Sequence, residues 1–425
     1  MRKQLRAFRK ISRSKAEKHR KRLKDADTCT PEKIFCYKNF IRSAKKSTKD
    51  VGWKASVQGY QLRAISRTYS DYKALREGRM PKGTSGREIA ITERGKTRVI
   101  TPIHIRDRVL QKTLCDNALV PVLSKKLIYD NGASLKGKGV SFTRKRIENH
   151  LKKAVKRFGS DFYILTYDVK NFFGSIPHAR CRKILEKYFH RNLVDVAMAV
   201  IKNPLREKAR KIQDKTERER RLRELDTGLG RGICLGSQES QILALVILNS
   251  LDHYIKEKLK RKFYVRYMDD GVMIAKTKEE LKAIYVKMKK ILQDIGMSFN
   301  EKKTRITKAS KGFTFLKVKY HITKTGKIIR RLSPKGTARM RRKLKKFKRL
   351  VDAGEMSLRN VYDSMQSWMS HAAVAKSHKT ISKMMKLYRK LFGGYGLSGD
   401  RRQRGREKHV LQDRQRESYR WSYIQ

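Results

Sequence analysis

A mixed α+β fold is predicted, with an antiparallel sheet at its centre and helices supplying most of the mass. Two short apolar runs, Phe162–Asp168 and Phe263–Ala275, are rich in aromatic and β-branched residues, which marks strands. The second run is split by Asp270-Gly271, a dipeptide that signals a hairpin turn. Between and after these runs lie amphipathic helical patterns. One carries Leu281, Ile284, Tyr285, Met288, Ile291, Leu292 and Ile295 on a single face, with Gly296 to end it.

The remaining elements follow in order. Residues 1–24 are dense in Lys and Arg with one acid, Glu17, and lead into helical sequence up to residue 50. Helical sequence around Tyr72–Arg76 is followed by a Gly/Pro/Ser break at Pro81–Gly86, then by strand-like segments at Glu88–Thr92 and Lys96–Pro102. Ile105–Leu123 reads as one helix closed near Pro121. A Gly- and Lys-rich loop at Gly132–Gly139 precedes a basic helix over Phe142–Phe158. Residues 205–226 are almost wholly charged, as expected of a solvated helix or an insertion. Gly228–Gly236 reads as a flexible lead-in to a long apolar helix from Ser240 to about Lys260. A second hairpin is expected over Gly312–Ile329. After Pro334 comes a basic helix with Met340, Leu344, Phe347 and Leu350 inward, then further helix to Phe392 and an Arg-rich tail.

Composition narrows the function. The chain has 425 residues, 107 Lys and Arg against 39 Asp and Glu, and a formal net charge of +68. Such a chain repels itself unless a polyanion neutralises it, and nucleic acid does so with release of counterions. Its five cysteines are dispersed without a C-x-x-C pair, which argues against a zinc module or a disulfide framework and fits a reducing, cytoplasmic setting. No apolar run reaches the length of a membrane span, so no membrane partner is expected. The basic N-terminus reads as an RNA-binding arm in preference to an organelle presequence.

The chemistry is carried by three acids. Asp168 ends one strand, and Asp269 and Asp270 lie in the hairpin turn. A lone Asp-Gly is ordinary turn chemistry. Tyr-Met-Asp-Asp between two apolar strands, paired with a strand-ending Asp upstream, is far more specific. Carboxylates converging from adjacent strands offer the hard oxygen ligands that divalent ions need in phosphoryl transfer.

Tyr267–Asp270 resembles the YxDD box of reverse transcriptases, and Asp168-Val-Lys-Asn-Phe-Phe-Gly-Ser-Ile-Pro177 resembles their first carboxylate motif. The resemblance runs in the family's order from about Gly95 to Phe392. It implies a right-hand polymerase: fingers over 51–160, a palm over 161–332 with a charged insertion near 203–228, and a helical thumb over 333–392. The basic arm (1–50) and basic tail (393–425) flank these.

The resemblance also implies roles. Asp168, Asp269 and Asp270 match the metal-binding acids, with the Val169 carbonyl as a further ligand of two Mg2+ ions, Mn2+ being the substitute. Phe173 matches the aromatic that excludes a 2′-hydroxyl, and Phe172 is the better core candidate. Lys96 and Arg98 resemble the clamp on the incoming dNTP. Lys303, or Lys302 in its stead, resembles the lysine that steadies or protonates the leaving pyrophosphate. Gly312–Leu316 resembles the primer-grip hairpin. The helix Thr337–Val351 resembles a thumb element that tracks an A-form duplex. Trp368 and His371, on the next helix, are expected to pack.

One motif departs from the commonest pattern. Leu235-Gly-Ser-Gln-Glu-Ser-Gln241 has Leu235 where a Gln is usual and Gln241 where a Pro is usual. This form is similar to reverse transcriptases of diversity-generating retroelements and of antiviral defence. Gly236 permits close backbone approach, and loss of the polar side chain at 235 is expected to relax fidelity. The implied partners are an RNA template or structured non-coding RNA, the DNA product, dNTPs and an accessory protein. The competing readings are an RNA-directed RNA polymerase, a non-catalytic RNA scaffold and a group II intron-like maturase with a reverse transcriptase core. Phe173, the retained acids and the missing nuclease segment weigh against them in turn.

Overall fold

A computed structural model describes residues 29–77, 79, 89–93, 96–100, 103–375, 377–393 and 395–396. The basic segments at 1–24 and 401–420 and the break at 81–86 lie outside the described residues. The chain divides into two compact units between Lys308 and Ala309.

The first unit is built on four antiparallel strands: β3 (Tyr163–Asp168), β4 (Tyr264–Tyr267), β5 (Asp270–Ala275) and β6 (Arg305–Lys308), in the order β4-β5-β3-β6. A separate ribbon pairs β1 (Ile89–Glu93) with β2 (Lys96–Ile100). Helices α1 (Pro31–Ile34), α2 (Tyr37–Thr48), α3 (Ala55–Gln61) and α4 (Ala64–Arg76) precede the ribbon. One continuous apolar core joins Phe40 and Tyr60 of these helices to Leu165, Leu243, Met273 and Met288. α7 (Val140–Phe158) packs on β4 and β5, α14 (Lys278–Asp294) packs on β3, β5 and β6, and α12 (Gln238–Ile247) joins the same core. On α14 the expected stripe holds: Leu281, Ile284, Met288 and Leu292 are buried, and Gly296 ends the helix with φ +78°.

Several sequence expectations are corrected. The 263–275 hairpin turns at Met268-Asp269, not at Asp270-Gly271, because Tyr267 pairs with Asp270 and Arg266 with Gly271. Met268 takes the left-handed conformation (φ +54°) that a two-residue turn requires. Gly271 serves a different need. A Cβ there would lie 2.2 Å from the Tyr167 ring, so glycine lets that ring cross the strand.

The helix expected over Ile105–Leu123 is not uniform. α5 (Ile105–Leu114) passes through a π turn at Cys115–Leu119 into α6 (Val120–Leu123), with the Val120 amide reaching back to the Cys115 carbonyl. Pro121 has no N–H to continue an α ladder, and the widened turn just before it absorbs the mismatch. The apolar helix expected over Ser240–Lys260 breaks at Leu248, restarts as α13 (Asn249–His253) and ends in a π turn at Tyr254–Lys258. Asn249 donates to the Lys126 carbonyl at 2.9 Å, so its side chain serves another segment at the break.

The Gly-rich lead-in is tied down by main-chain hydrogen bonds and is not the flexible segment expected. Gly232 and Ile233 donate to Ile176 and Phe173 at 2.9 and 3.0 Å, and Gly230 donates to Glu224 at 2.7 Å. Ahead of it, α8 (Phe172–Ser175) and α9 (His178–Leu185) lead into α10 (Arg191–Arg210), which packs on α11 (Lys215–Thr227). The charged stretch thus forms the outer half of a helical hairpin, laced by Arg220 and Arg221 to Glu217 and Glu224.

The second unit opens with three antiparallel strands, β7 (Phe313–Phe315), β8 (Val318–Ile322) and β9 (Ile328–Leu332), one more than the expected hairpin. Three helices follow: α15 (Pro334–Asp352), α16 (Leu358–Val374) and α17 (His378–Phe392). They share a core of Met340, Leu344, Val361, Met365, Met384, Tyr388 and Phe392, with Phe347, Val351 and Trp368 against it. Val351, not Leu350, continues the inward stripe, since 340, 344, 347 and 351 keep steps of four, three and four residues. Arg339, Arg341, Arg342, Lys345 and Lys346 stand exposed on the other side of α15.

Candidate active site

β3 and β5 pair so that Asp168 lies opposite Asp270, and the Met268-Asp269 turn carries Asp269 to the same end of the sheet. One ligand atom from each of the three carboxylates lies within 4.8 Å of the others. The Val169 amide donates to the Asp269 carbonyl at 3.3 Å, which sets Val169 beside the turn.

Two side chains from the segment after α14 reach Asp168. Lys303 Nζ donates to Oδ2 at 2.7 Å, and Asn300 Nδ2 donates to the same oxygen at 3.1 Å. The contact falls to Lys303 and not Lys302. Its ammonium pKa is raised by the hydrogen bond to Asp168, so it stays a cation. The Asp270 carboxyl is pushed up to about 7, first by burial and then by the charges of Asp269 and Asp168. A further positive charge here would relieve that cost. Three hard oxygen donors converging on one point therefore fit a divalent cation.

A buried polar network holds the turn from behind. Arg266 and Asp252 are fully buried. Arg266 Nη1 donates to the Met268 carbonyl at 3.0 Å and Nη2 to the Leu245 carbonyl at 2.8 Å. Tyr264 donates its hydroxyl to Asp252 at 2.7 Å and meets the Tyr167 hydroxyl at 2.7 Å. Sequence reasoning missed Asn300, Arg266 and Asp252. Asn300 begins the Asn-Glu-Lys-Lys stretch and could have been read with Lys303. Arg266 and Asp252 give no local signal.

The other expected site residues lie on separate segments of the first unit. Phe172 is buried, while Phe173 is half-buried and meets it edge to face at 5.4 Å. Leu235 and Gly236 (φ +103°) line a cavity of about 650 Å³ with Lys46, Lys54, Arg108 and Gln241, and the three acids are not in its lining. Lys96 and Arg98 lie on β2 by their backbone, and their side chains are outside the described part of the structure. All five cysteines are free, and no helix among the described residues is long and apolar enough to cross a membrane.

An antiparallel sheet with three converging carboxylates at one end offers the hard oxygen ligands that phosphoryl transfer asks of a divalent-ion site. Residues 80–320 match the family model for reverse transcriptase (RNA-dependent DNA polymerase). The chain belongs to the reverse transcriptase family, whose members are RNA-directed DNA polymerases and thus nucleotidyltransferases. Among solved structures it is similar to apo telomerase of Candida tropicalis truncated from its C-terminal domain (16% identity, TM-score 0.42, covering 62% of this chain and 60% of that one). It is also similar to telomerase of Candida albicans in complex with a TWJ fragment of telomeric RNA (15% identity, TM-score 0.40, covering 68% and 55%). The chain thus spans less than two thirds of the length of these structures. Among curated proteins no significant sequence match is found.

Proposed function

We propose that this chain copies an RNA template into DNA, adding dNTPs to a primer 3′-hydroxyl with two Mg2+ ions held by Asp168, Asp269, Asp270 and the Val169 carbonyl. The observation that carries this reading is the approach of the three carboxylates to within 4.8 Å at one end of the sheet. When bound, such ions lower the hydroxyl pKa and neutralise charge on the transferring phosphoryl group. The chain's own residues do the rest. Lys303 keeps Asp168 oriented and keeps a positive charge beside the acids, where it steadies the departing pyrophosphate. Asn300 fixes the same carboxylate without adding charge. Phe173 excludes the 2′-hydroxyl, and Lys96 and Arg98 clamp the triphosphate.

The template we favour is a dedicated structured RNA, in a diversity-generating or antiviral-defence system. Support comes from the net charge of +68 and from the Leu235–Gln241 motif, whose apolar Leu235 lines a polar, basic cavity. Primer extension on an RNA template with dNTPs is the direct test. Asp269→Ala/Asp270→Ala should abolish incorporation, and so should EDTA with the unaltered chain. Incorporation that survives both removes the reading. Sequencing the cDNA made in cells, with that double variant as control, tests the template: one enriched RNA supports a dedicated partner, and a random sample counts against it.

A further inference from the structure

At the end of the sheet away from the carboxylates, the chain forms a hollow of about 560 Å³ between the C-terminus of α7, the turn before β4 and the exit of β5. β3 separates Tyr163, paired with Ala275 at this end, from Asp168, paired with Asp270 at the other. Five residue-to-residue steps along the strand put the two ends roughly 17 Å apart.

The charges in this hollow differ in what already occupies them. Glu280, its acid, is paired with Arg261. Lys276 donates to the carbonyls of Phe158 and Asp161 at 3.2 and 3.4 Å, where it closes the end of α7. Arg157, Lys260 and Lys262 are exposed, and among the described residues none of them pairs with an acid. Arg261 keeps one guanidinium nitrogen, Nε, buried and without a hydrogen-bond partner. The turn that presents these cations is itself costly. Lys260 adopts φ +51°, a left-handed conformation that a lysine rarely takes, and it is bracketed by the Leu259 and Arg261 amides bonded back to Tyr254 and Ile255 at 2.9 Å each.

Two aromatic rings complete the hollow. Phe158 and Phe263 meet edge to face at 5.9 Å, and the Arg157 guanidinium lies 5.4 Å from the Phe158 ring centre. Both phenylalanines are only half-buried. Cations interleaved with half-open aromatic rings suit unpaired nucleotides, whose phosphates take the charge and whose bases stack. The volume is large enough for one nucleotide.

We propose that this hollow is a second nucleic-acid site, which takes an unpaired nucleotide of single-stranded or bulged RNA, with phosphates on Arg157, Lys260 and Lys262 and the base against Phe263. Such a site would let the protein keep hold of its RNA outside the copied stretch while the carboxylate end is engaged. The role outside the copied stretch rests on the polymerase reading, but oligouridylate binding is read separately from primer extension, so failure of one is distinguishable from failure of the other.

The full chain is first saturated with a primer–template duplex, and binding of a fluorescent single-stranded oligouridylate is then measured. The unaltered chain should still bind it. Lys260→Glu/Lys262→Glu should weaken that binding by about ten-fold and lower the log–log salt slope by about 1.4, or roughly 0.7 per lost phosphate contact. Phe263→Leu should weaken it without changing the salt slope, as loss of stacking requires. Primer extension on the short duplex should be unchanged in both variants, which also reports that they fold. The proposal is overturned if the duplex displaces the oligouridylate completely, or if the charge-reversed variant binds it as tightly as the unaltered chain. It is equally overturned if polyglutamate binds as well as the RNA and Phe263→Leu has no effect, since the hollow would then be an unselective anion patch.

Discussion

Arg266 and Asp252 form a forked pair in which both side chains are wholly shut off from solvent. Arg266 Nε lies 2.9 Å from each carboxylate oxygen of Asp252, and Nη2 lies 2.6 Å from Oδ2. The guanidinium has a second task, because Nη1 holds the Met268 carbonyl in the turn that carries Asp269. A left-handed Met268 is not a conformation that methionine adopts unaided. The pair therefore connects a buried ion pair to the placement of a candidate metal ligand.

Asp252→Ala should destabilise the chain by about 3–5 kcal/mol, since it strands a buried guanidinium rather than merely removing an interaction. Denaturant unfolding checks this, with primer extension run well below the shifted midpoint. Activity should fall even where the variant is fully folded. A midpoint within error of the unaltered chain would show that Arg266 finds water or another acceptor, and would remove the claim.

Gly271 offers a test of packing at the same turn. A methyl group there would overlap the Tyr167 ring, whose hydroxyl meets Tyr264 and so leads to Asp252. Gly271→Ala should cost about 1–3 kcal/mol, the range for overpacking a filled core. Combined with Tyr167→Ala, the two losses should be less than additive, because the second substitution removes the ring the first one strikes. Strict additivity in unfolding experiments would place the strain elsewhere.

Legibility of the sequence follows from how local each signal is. Asp168 was readable because an apolar six-residue strand leads directly into it, and Asp269 and Asp270 because Tyr-Met-Asp-Asp sits between two apolar runs. The stripe on α14 was readable for the same reason. Gly271 was misread because Asp-Gly is a strong turn signal taken alone. The pairing of Val265 with Val272 and of Tyr264 with Met273, all buried, moves the turn two residues upstream. Arg266 could not be singled out among 107 Lys and Arg, because only its partner on α13 distinguishes it. The break at Leu248 carries neither proline nor glycine, so nothing in the local sequence marks it.

Phe173 carries the prediction on sugar selection. It is half-buried beside the buried Phe172, so truncation should cost little of the core. Phe173→Ala should admit ribonucleotides, with the ratio of rNTP to dNTP incorporation rising by about an order of magnitude or more, within the roughly hundred-fold that an apolar contact can hold against one added hydroxyl. Phe172→Ala should instead lower stability by about 3–5 kcal/mol. If Phe173→Ala rejects rNTPs as the unaltered chain does, the aromatic is a packing residue only.

Glu239, in the first turn of α12, is buried with Oε2 lacking a hydrogen-bond partner, and burial pushes its carboxyl up to about 7 from an ordinary 4.5. Folding therefore favours the protonated form. The unfolded chain releases this proton as pH rises through 4.5, while the folded chain holds it until about 7, so stability from this group is complete below the lower value and is lost across that interval. The loss amounts to roughly 3 kcal/mol at 1.36 kcal/mol per pKa unit. Glu239→Gln keeps the shape and cannot ionise, so the difference in unfolding free energy, variant minus unaltered chain, should grow in the variant's favour between mildly acidic and mildly alkaline buffers. Measuring denaturant midpoints in both buffers isolates this group from the other titrating residues, which are common to the two chains. A difference that is the same in both buffers would mean that Glu239 is already ionised in the folded chain, through a water or a cation that reaches Oε2.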